Sequence, residues 1–337
     1  MFQTGLHIAL QAHASDWLTW LMNQVTALGY HEVIILLVIS VLFGVSLRRG
    51  FLLFQIIFWT AVLSHAIKEF FGLPRPFFAD SRVACLEPSW DSAGAFRAMA
   101  GRDFFDLPPS GVIDAYRLKG LNFGFPSGHT SGAFAVWGGL AVVFRKRALT
   151  WRALVMIPLI AFSRLYLGVH FLADILGGAF LGGVMLLLAW LLWRDDGRRE
   201  ELFAAMRGPL NGSPARVLYL FFLYGLPLLL ALFSLASASF AGFCLGLNAA
   251  FALAQRHGLP EEAAPALKRV ARVLFGILLF WGLALALRQL ASLLPSWAAS
   301  QWGRFLASAL ATFLCLWIGM KLFLLLGLYR LPLRREA

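Results

Sequence analysis

The sequence predicts an all-α, polytopic membrane helical bundle, and three observations carry that expectation. The chain has 337 residues, 60% of them hydrophobic and 14% charged, whereas soluble domains average roughly 45–50% apolar and about 25% charged. The apolar excess is gathered into runs of roughly 18 or more residues, the length that crosses a bilayer as a helix. The Lys and Arg residues behind the net charge of +12 sit in short loops between those runs. That is the pattern of the positive-inside rule and not of a nucleic-acid-binding surface.

Taken in order, residues 1–30 read as a mildly amphipathic interfacial or re-entrant helix carrying Trp17 and Trp20. They contain no Lys or Arg, so they lack the charged start of a signal peptide. Nine apolar spans follow, near 33–47, 51–70, 127–144, 150–166, 171–193, 217–236, 238–254, 271–293 and 303–328. Basic residues follow alternate spans: Arg48 and Arg49, then Arg145 to Arg152, then Arg194 to Arg216, then Arg256 to Arg272, and finally Arg330, Arg334 and Arg335. Alternation puts all of them on one side, the cytoplasmic one. The N-terminus and the long 72–125 segment then face outward.

Two parts are expected. Residues 1–200 form a core with an outward cap at 77–123. Residues 211–332 form a C-terminal transmembrane bundle of four helices. A loop as long as the cap is usually functional or disordered. Its aromatics (Phe77, Phe78, Trp90, Phe96, Phe104, Phe105, Tyr116) and its charges of both signs favour a folded cover over a site. The C-terminal bundle has no comparable cluster of ionisable residues. Its Arg288, Arg304 and Lys321 either meet anionic lipid or snorkel to the membrane surface. Cys85, Cys244 and Cys315 are too scattered to indicate a disulfide framework or a metal site.

Ionisable residues near membrane spans are costly and are functional candidates. Three groups fall at outward span ends. In the first, Lys68 is followed by Pro74, Arg75 and Pro76, two cations beside a helix-breaking proline. In the second, Pro126, Ser127, Gly128 and His129 have the character of a helix start, where backbone N–H groups and the helix dipole attract an anion. In the third, Ser163 and Arg164 precede His170 and Asp174, which lie four apart on one helix face. A carboxylate there can hold one imidazole nitrogen protonated and leave the other as a nucleophile. Each group alone has an ordinary reading: a snorkelling cation, a helix cap, a surface His–Asp pair. Together they supply what phosphoryl transfer needs, positioning and charge stabilisation of the transferring oxygens. His65, one helical turn before Lys68, reads as a spectator packed between helices. His7, His13, His31 and His257 carry no functional signal.

The three groups, in this order and at these spacings, closely resemble the signature of the PAP2 (type 2 phosphatidic acid phosphatase) superfamily: Lys68 with Arg75-Pro76, Pro126-Ser127-Gly128-His129, then Ser163-Arg164 with His170 and Asp174. The resemblance covers roughly residues 30–195. It implies that His170 is the nucleophile of a phosphohistidine mechanism, with Asp174 orienting it. It implies that His129 protonates the leaving group and then activates water. Lys68, Arg75, Ser127, Gly128 and Arg164 would bind phosphate oxygens, with no metal and no other cofactor. It further implies a lipid phosphate substrate of the undecaprenyl pyrophosphate, phosphatidylglycerophosphate, phosphatidate or lipid A type, met in a bacterial inner membrane with the site facing the periplasm. The site residues fit other readings too: a lipid phosphotransferase or a glucose-6-phosphatase-like sugar phosphatase. Asp174 favours the lipid branch over the latter, since that relative's usual pattern lacks it. A lipid transporter or binding protein using the C-terminal bundle is a further alternative.

Overall fold

The computed structural model describes residues 1–88, 101–119, 122–207, 214–293, 296 and 300–330. Trp90, Phe96, Arg334 and Arg335 lie outside them. Among the described residues, six helices are long and apolar enough to cross a membrane: Leu47–Ala79, Arg147–Tyr166, Leu172–Trp193, Ala238–His257, Ala266–Leu290 and Gln301–Leu325. A seventh arises if Asp16–Ala27 and His31–Gly44, bent by 48° at their junction, count as one span. The chain is therefore a polytopic all-α membrane protein. Two of the nine expected spans differ for a local reason. The 127–144 stretch is α7 (Gly128–Ala133), a π turn (Phe134–Gly138) and α8 (Gly139–Phe144). The 217–236 stretch is likewise broken by a π turn at Phe221–Gly225. A π turn inserts an extra residue into the helix and interrupts its regular bonding.

The chain divides into two compact units. The first comprises residues 1–35 and 55–191, the second 36–54 and 192–337, so the boundaries fall inside α3 (His31–Gly44), α4 (Leu47–Phe71) and α10 (Leu172–Trp193).

In the first unit, α1 (Gly5–Gln11) and α2 (Asp16–Ala27) open the chain. The side chain of Ser15 caps α2 by accepting from the Leu18 amide, and Trp17 and Trp20 stay exposed. These helices are tied into the unit by polar bonds. Thr4 Oγ1 donates to Asp80 Oδ2 at 2.6 Å, Gln11 Nε2 donates to Ala84 O at 2.8 Å, and Asn23 Nδ2 donates to Leu86 O at 3.1 Å. The outward segment begins with α5 (Pro76–Ala79) and continues to α6 (Ser110–Leu118). Phe77, Phe78 and Tyr116 are buried with Phe2, Met22, Tyr166 and Phe171 in one apolar cluster, whereas Phe104 and Phe105 are exposed. The cap thus shares its core with α2 and with the end of α9 (Arg147–Tyr166).

Two glycines make the layout possible. Gly168, at φ +74°, forms the turn between α9 and α10 (Leu172–Trp193), and a Cβ there would collide with Ala84 O. Gly178 of α10 faces Ser127, where a side chain would meet that residue's carbonyl. The helix start at 127–130 and the turn carrying His170 are therefore brought side by side.

In the second unit, α14 (Ala238–His257) and α16 (Gln301–Leu325) approach through Gly242 and Gly246, whose Cβ positions would strike Phe305 O and Ala309 O. Small residues four apart are a common device for close helix contact in membranes. Asn248 Nδ2 donates at 2.6 Å to Leu223 O, within the second π turn. The 36–54 segment belongs here through Leu47 N, which donates to Glu262 Oε1 at 2.6 Å. Arg269 Nε adds a bond to Gly44 O at 2.7 Å, and Phe51 stacks on Phe251 at 4.1 Å.

Candidate active site

A cavity of about 320 Å³ lies in the first unit, lined by Lys68, Arg75, Gly128, His129, Arg164 and His170, together with Tyr30, Glu87 and Asn122. Six of the eight sequence-predicted residues therefore line one space. Asp174 stands directly behind His170. Ser127 is fully buried, and its Oγ accepts from the Thr130 amide at 3.3 Å and from Thr130 Oγ1 at 3.0 Å. Its hydroxyl is the cap that starts α7 and sets the next two residues, Gly128 and His129, at the cavity wall.

His170 is held on both ring nitrogens. Nδ1 lies 3.1 Å from Asp174 Oδ2, which also accepts from the Phe171 amide at 2.9 Å. Nε2 lies 3.2 Å from Arg75 Nη1. A guanidinium only donates, so Nε2 accepts and Nδ1 carries the proton toward Asp174. That is the tautomer with its lone pair on the cavity side. Burial, together with the charges of Arg75 and Lys68, holds the ring well below its ordinary pKa, so it is neutral at neutral pH. The peptide of His170 is fixed as well. Its carbonyl accepts at 2.8 Å from Nε2 of the fully buried His7.

The cations are clamped before any anion arrives. Lys68 Nζ donates to Phe123 O at 2.5 Å and Gly124 O at 3.1 Å. Arg75 donates to Asn122 O at 2.9 Å and Val169 O at 2.8 Å. Both side chains anchor the 122–124 stretch that leads into the Pro126–His129 helix start, and both leave their charge at the cavity. Arg164 is 1% exposed. Its Nη1 donates to Thr26 Oγ1 at 2.5 Å and its Nη2 to Glu87 Oε2 at 2.9 Å, while Nε has no partner among the described residues. His129 Nε2 is likewise buried and without a partner. The His129 ring packs edge-on to Tyr30 at 5.4 Å and close to Gly29, where a Cβ would come within 2.7 Å of it.

Four contributors were not legible in the sequence: Glu87, Tyr30, Thr26 and His7. Glu87 is an acidic residue in an irregular loop, and the other three come from the N-terminal segment, remote from every spaced motif. The ion balance of the outward segment was the one available hint. His65 departs from its expected place between helices: its side chain is 47% exposed and lies 3.8 Å from Glu69.

The fold and this cavity define a polytopic helical membrane protein with a buried, cation-rich pocket suited to a small polyanion. Residues 49–198, under half of the chain, match the model of the PAP2 superfamily. Lipid A 4'-phosphatase of Porphyromonas gingivalis is 34% identical over 87 residues, 26% of this chain and 35% of that protein. Undecaprenyl-diphosphatase BcrC of Bacillus subtilis is 36% identical over 70 residues, 21% of this chain and 34% of that protein. Phosphatidylglycerophosphatase B of Bacillus subtilis is 25% identical over 185 residues, 51% of this chain and 73% of that protein. The match to the lipid A phosphatase thus spans about a third of that relative. No solved structure matches the chain.

Proposed function

We propose that the protein is a membrane lipid phosphatase that works through a phosphohistidine on His170. The observation that carries this reading is the His170 ring itself, braced by Asp174 at 3.1 Å with its unprotonated nitrogen on the side of the cavity cations. In the first step the Nε2 lone pair attacks phosphorus, the P–O bond to the lipid breaks, and His129 gives its proton to the departing oxygen. In the second, His129 takes a proton from water, which attacks the phosphohistidine. The P–N bond breaks and inorganic phosphate leaves. Lys68, Arg75 and Arg164 offset the charge on the equatorial oxygens, the main requirement of phosphoryl transfer. Because these three cations supply that charge, activity is expected to be unchanged in excess EDTA.

The names of the relatives support a phosphate ester or anhydride on a lipid. The positive-inside pattern supports a site on the periplasmic face, with residues 1–200 as the catalytic part and 211–332 as a membrane bundle beside it. The test is phosphate release by the full chain in detergent from a panel of lipid phosphates and pyrophosphates, with a soluble sugar phosphate included. Release from the lipids is expected. Release from the sugar phosphate alone would overturn the lipid reading, and undiminished release by His170→Ala would overturn the mechanism.

A further inference from the structure

Glu87 belongs to none of the three spaced groups, yet it is 2% exposed, lines the cavity and carries the buried ion pair of the site. Burial disfavours its charge. The Arg164 guanidinium and the Tyr30 hydroxyl outweigh that and hold its carboxyl below the ordinary value, so it is ionised at neutral pH. A buried ion pair is weak evidence for stability, because the desolvation of two charges offsets their attraction. The geometry around this pair gives it a more specific use.

A guanidinium is a flat, rigid fork of five donors. When its two terminal nitrogens are fixed, the direction of Nε is fixed too. In Arg164 the terminal nitrogens are held by Thr26 and Glu87, and Nε remains buried and without a partner among the described residues, on a side chain that lines the cavity. The second Glu87 oxygen accepts from the Tyr30 hydroxyl, and the Tyr30 ring lies edge-on to His129 at 5.4 Å. One carboxylate therefore joins the arginine to the ring that backs the candidate acid–base histidine. Thr26 and Tyr30 both precede the family match at 49–198, so the segment before that match supplies part of this support.

We infer that Glu87 is a positioning residue that presents Arg164 to the phosphate, with Tyr30 and Thr26 completing the brace. The inference rests on the proposed phosphatase reading. It makes a distinct claim: the loss of Glu87 acts through Arg164 and on phosphate affinity. A carboxylate with a purely architectural role would change stability and leave phosphate affinity as it was.

The test is a double-mutant cycle on the full chain in detergent, reading the inhibition constant of inorganic phosphate, KM, kcat and Tm for wild type, Glu87→Gln, Arg164→Lys and the pair. Glu87→Gln is expected to weaken phosphate binding and raise KM together by about 10-fold, the effect of one misaligned charge-assisted hydrogen bond, with a smaller change in kcat. In the Arg164→Lys background the same substitution is expected to add less than about 2-fold, because coupled residues are non-additive. Tyr30→Phe is expected to give a weaker version of the Glu87→Gln effect. Glu87→Asp, which keeps the charge, is measured alongside and is expected to retain more phosphate affinity than Glu87→Gln. If Glu87→Gln does not fold, Glu87→Asp takes its place in the cycle, with the same coupling to Arg164→Lys expected. Phosphate affinity equal to wild type in the substituted protein, or effects that multiply fully with Arg164→Lys, would overturn the inference. A wild-type protein that neither binds inorganic phosphate nor releases it from lipid would instead take down the phosphatase reading, and this inference with it.

Discussion

The two units bury polar groups for different ends. In the first, Arg, Lys, His and Glu side chains converge on a cavity, and Arg164 Nε and His129 Nε2 have no partner among the described residues. In the second, polar side chains serve backbone groups: the buried Asn248 donates to a carbonyl in a π turn, and the half-buried Glu262 accepts the Leu47 amide. Its tightest helix contact is made by Gly242 and Gly246. Buried donors without a partner among the described residues occur in the second unit too, Gln255 Nε2 and Arg272 Nε and Nη1 among them, so what sets the first interior apart is the convergence of its charged groups on one space.

The largest effect that would break this contrast is expected at His170. His170→Ala should lower kcat by at least ~10⁴-fold, the scale of losing a nucleophile, with folding judged by Tm nearly unchanged. His129→Ala should follow at about 10²–10⁴-fold, and rapid-quench kinetics should show the phosphoenzyme outliving its wild-type lifetime. A packing change in the second unit should behave in the opposite way. Gly246→Val overpacks the α14–α16 contact and should lower stability by about 1–3 kcal/mol, read by thermal unfolding in detergent, with KM unaltered. A raised KM in that variant would blur the distinction between the units.

The smallest effect is in pH dependence. The Glu87 carboxyl is held below its ordinary value of 4.5 when folded. Its contribution to stability is therefore present above about pH 4.5 and lost as pH falls through the lower folded value. Tm should drop on acidification below that point, and Glu87→Gln should flatten that part of the curve. An unchanged acid limb in the variant would mean that Glu87 does not titrate as its partners require.

Helical class and the three signature groups were readable because apolar runs and fixed spacings are local properties of a chain. Lys68, Arg75, Gly128, His129, Arg164 and His170 reach one cavity as their order suggests. Three features resisted reading. The π turns at 134–138 and 221–225 leave hydropathy unchanged while breaking helix continuity. The grouping of 36–54 with the second unit depends on contacts such as Phe51 on Phe251, two hundred residues apart in sequence. Glu87 and Tyr30 meet only in three dimensions, through Arg164 and His129, and no periodicity marks either one.

The most direct test of the account is to trap the covalent intermediate. The full chain is mixed with a ³²P-labelled lipid phosphate, quenched within milliseconds and digested, and the label is mapped. The account predicts an acid-labile, base-stable phosphoryl group on His170 in the wild-type protein and none on His170→Ala. Full turnover with no labelled protein, or a label carried by another residue, would contradict it.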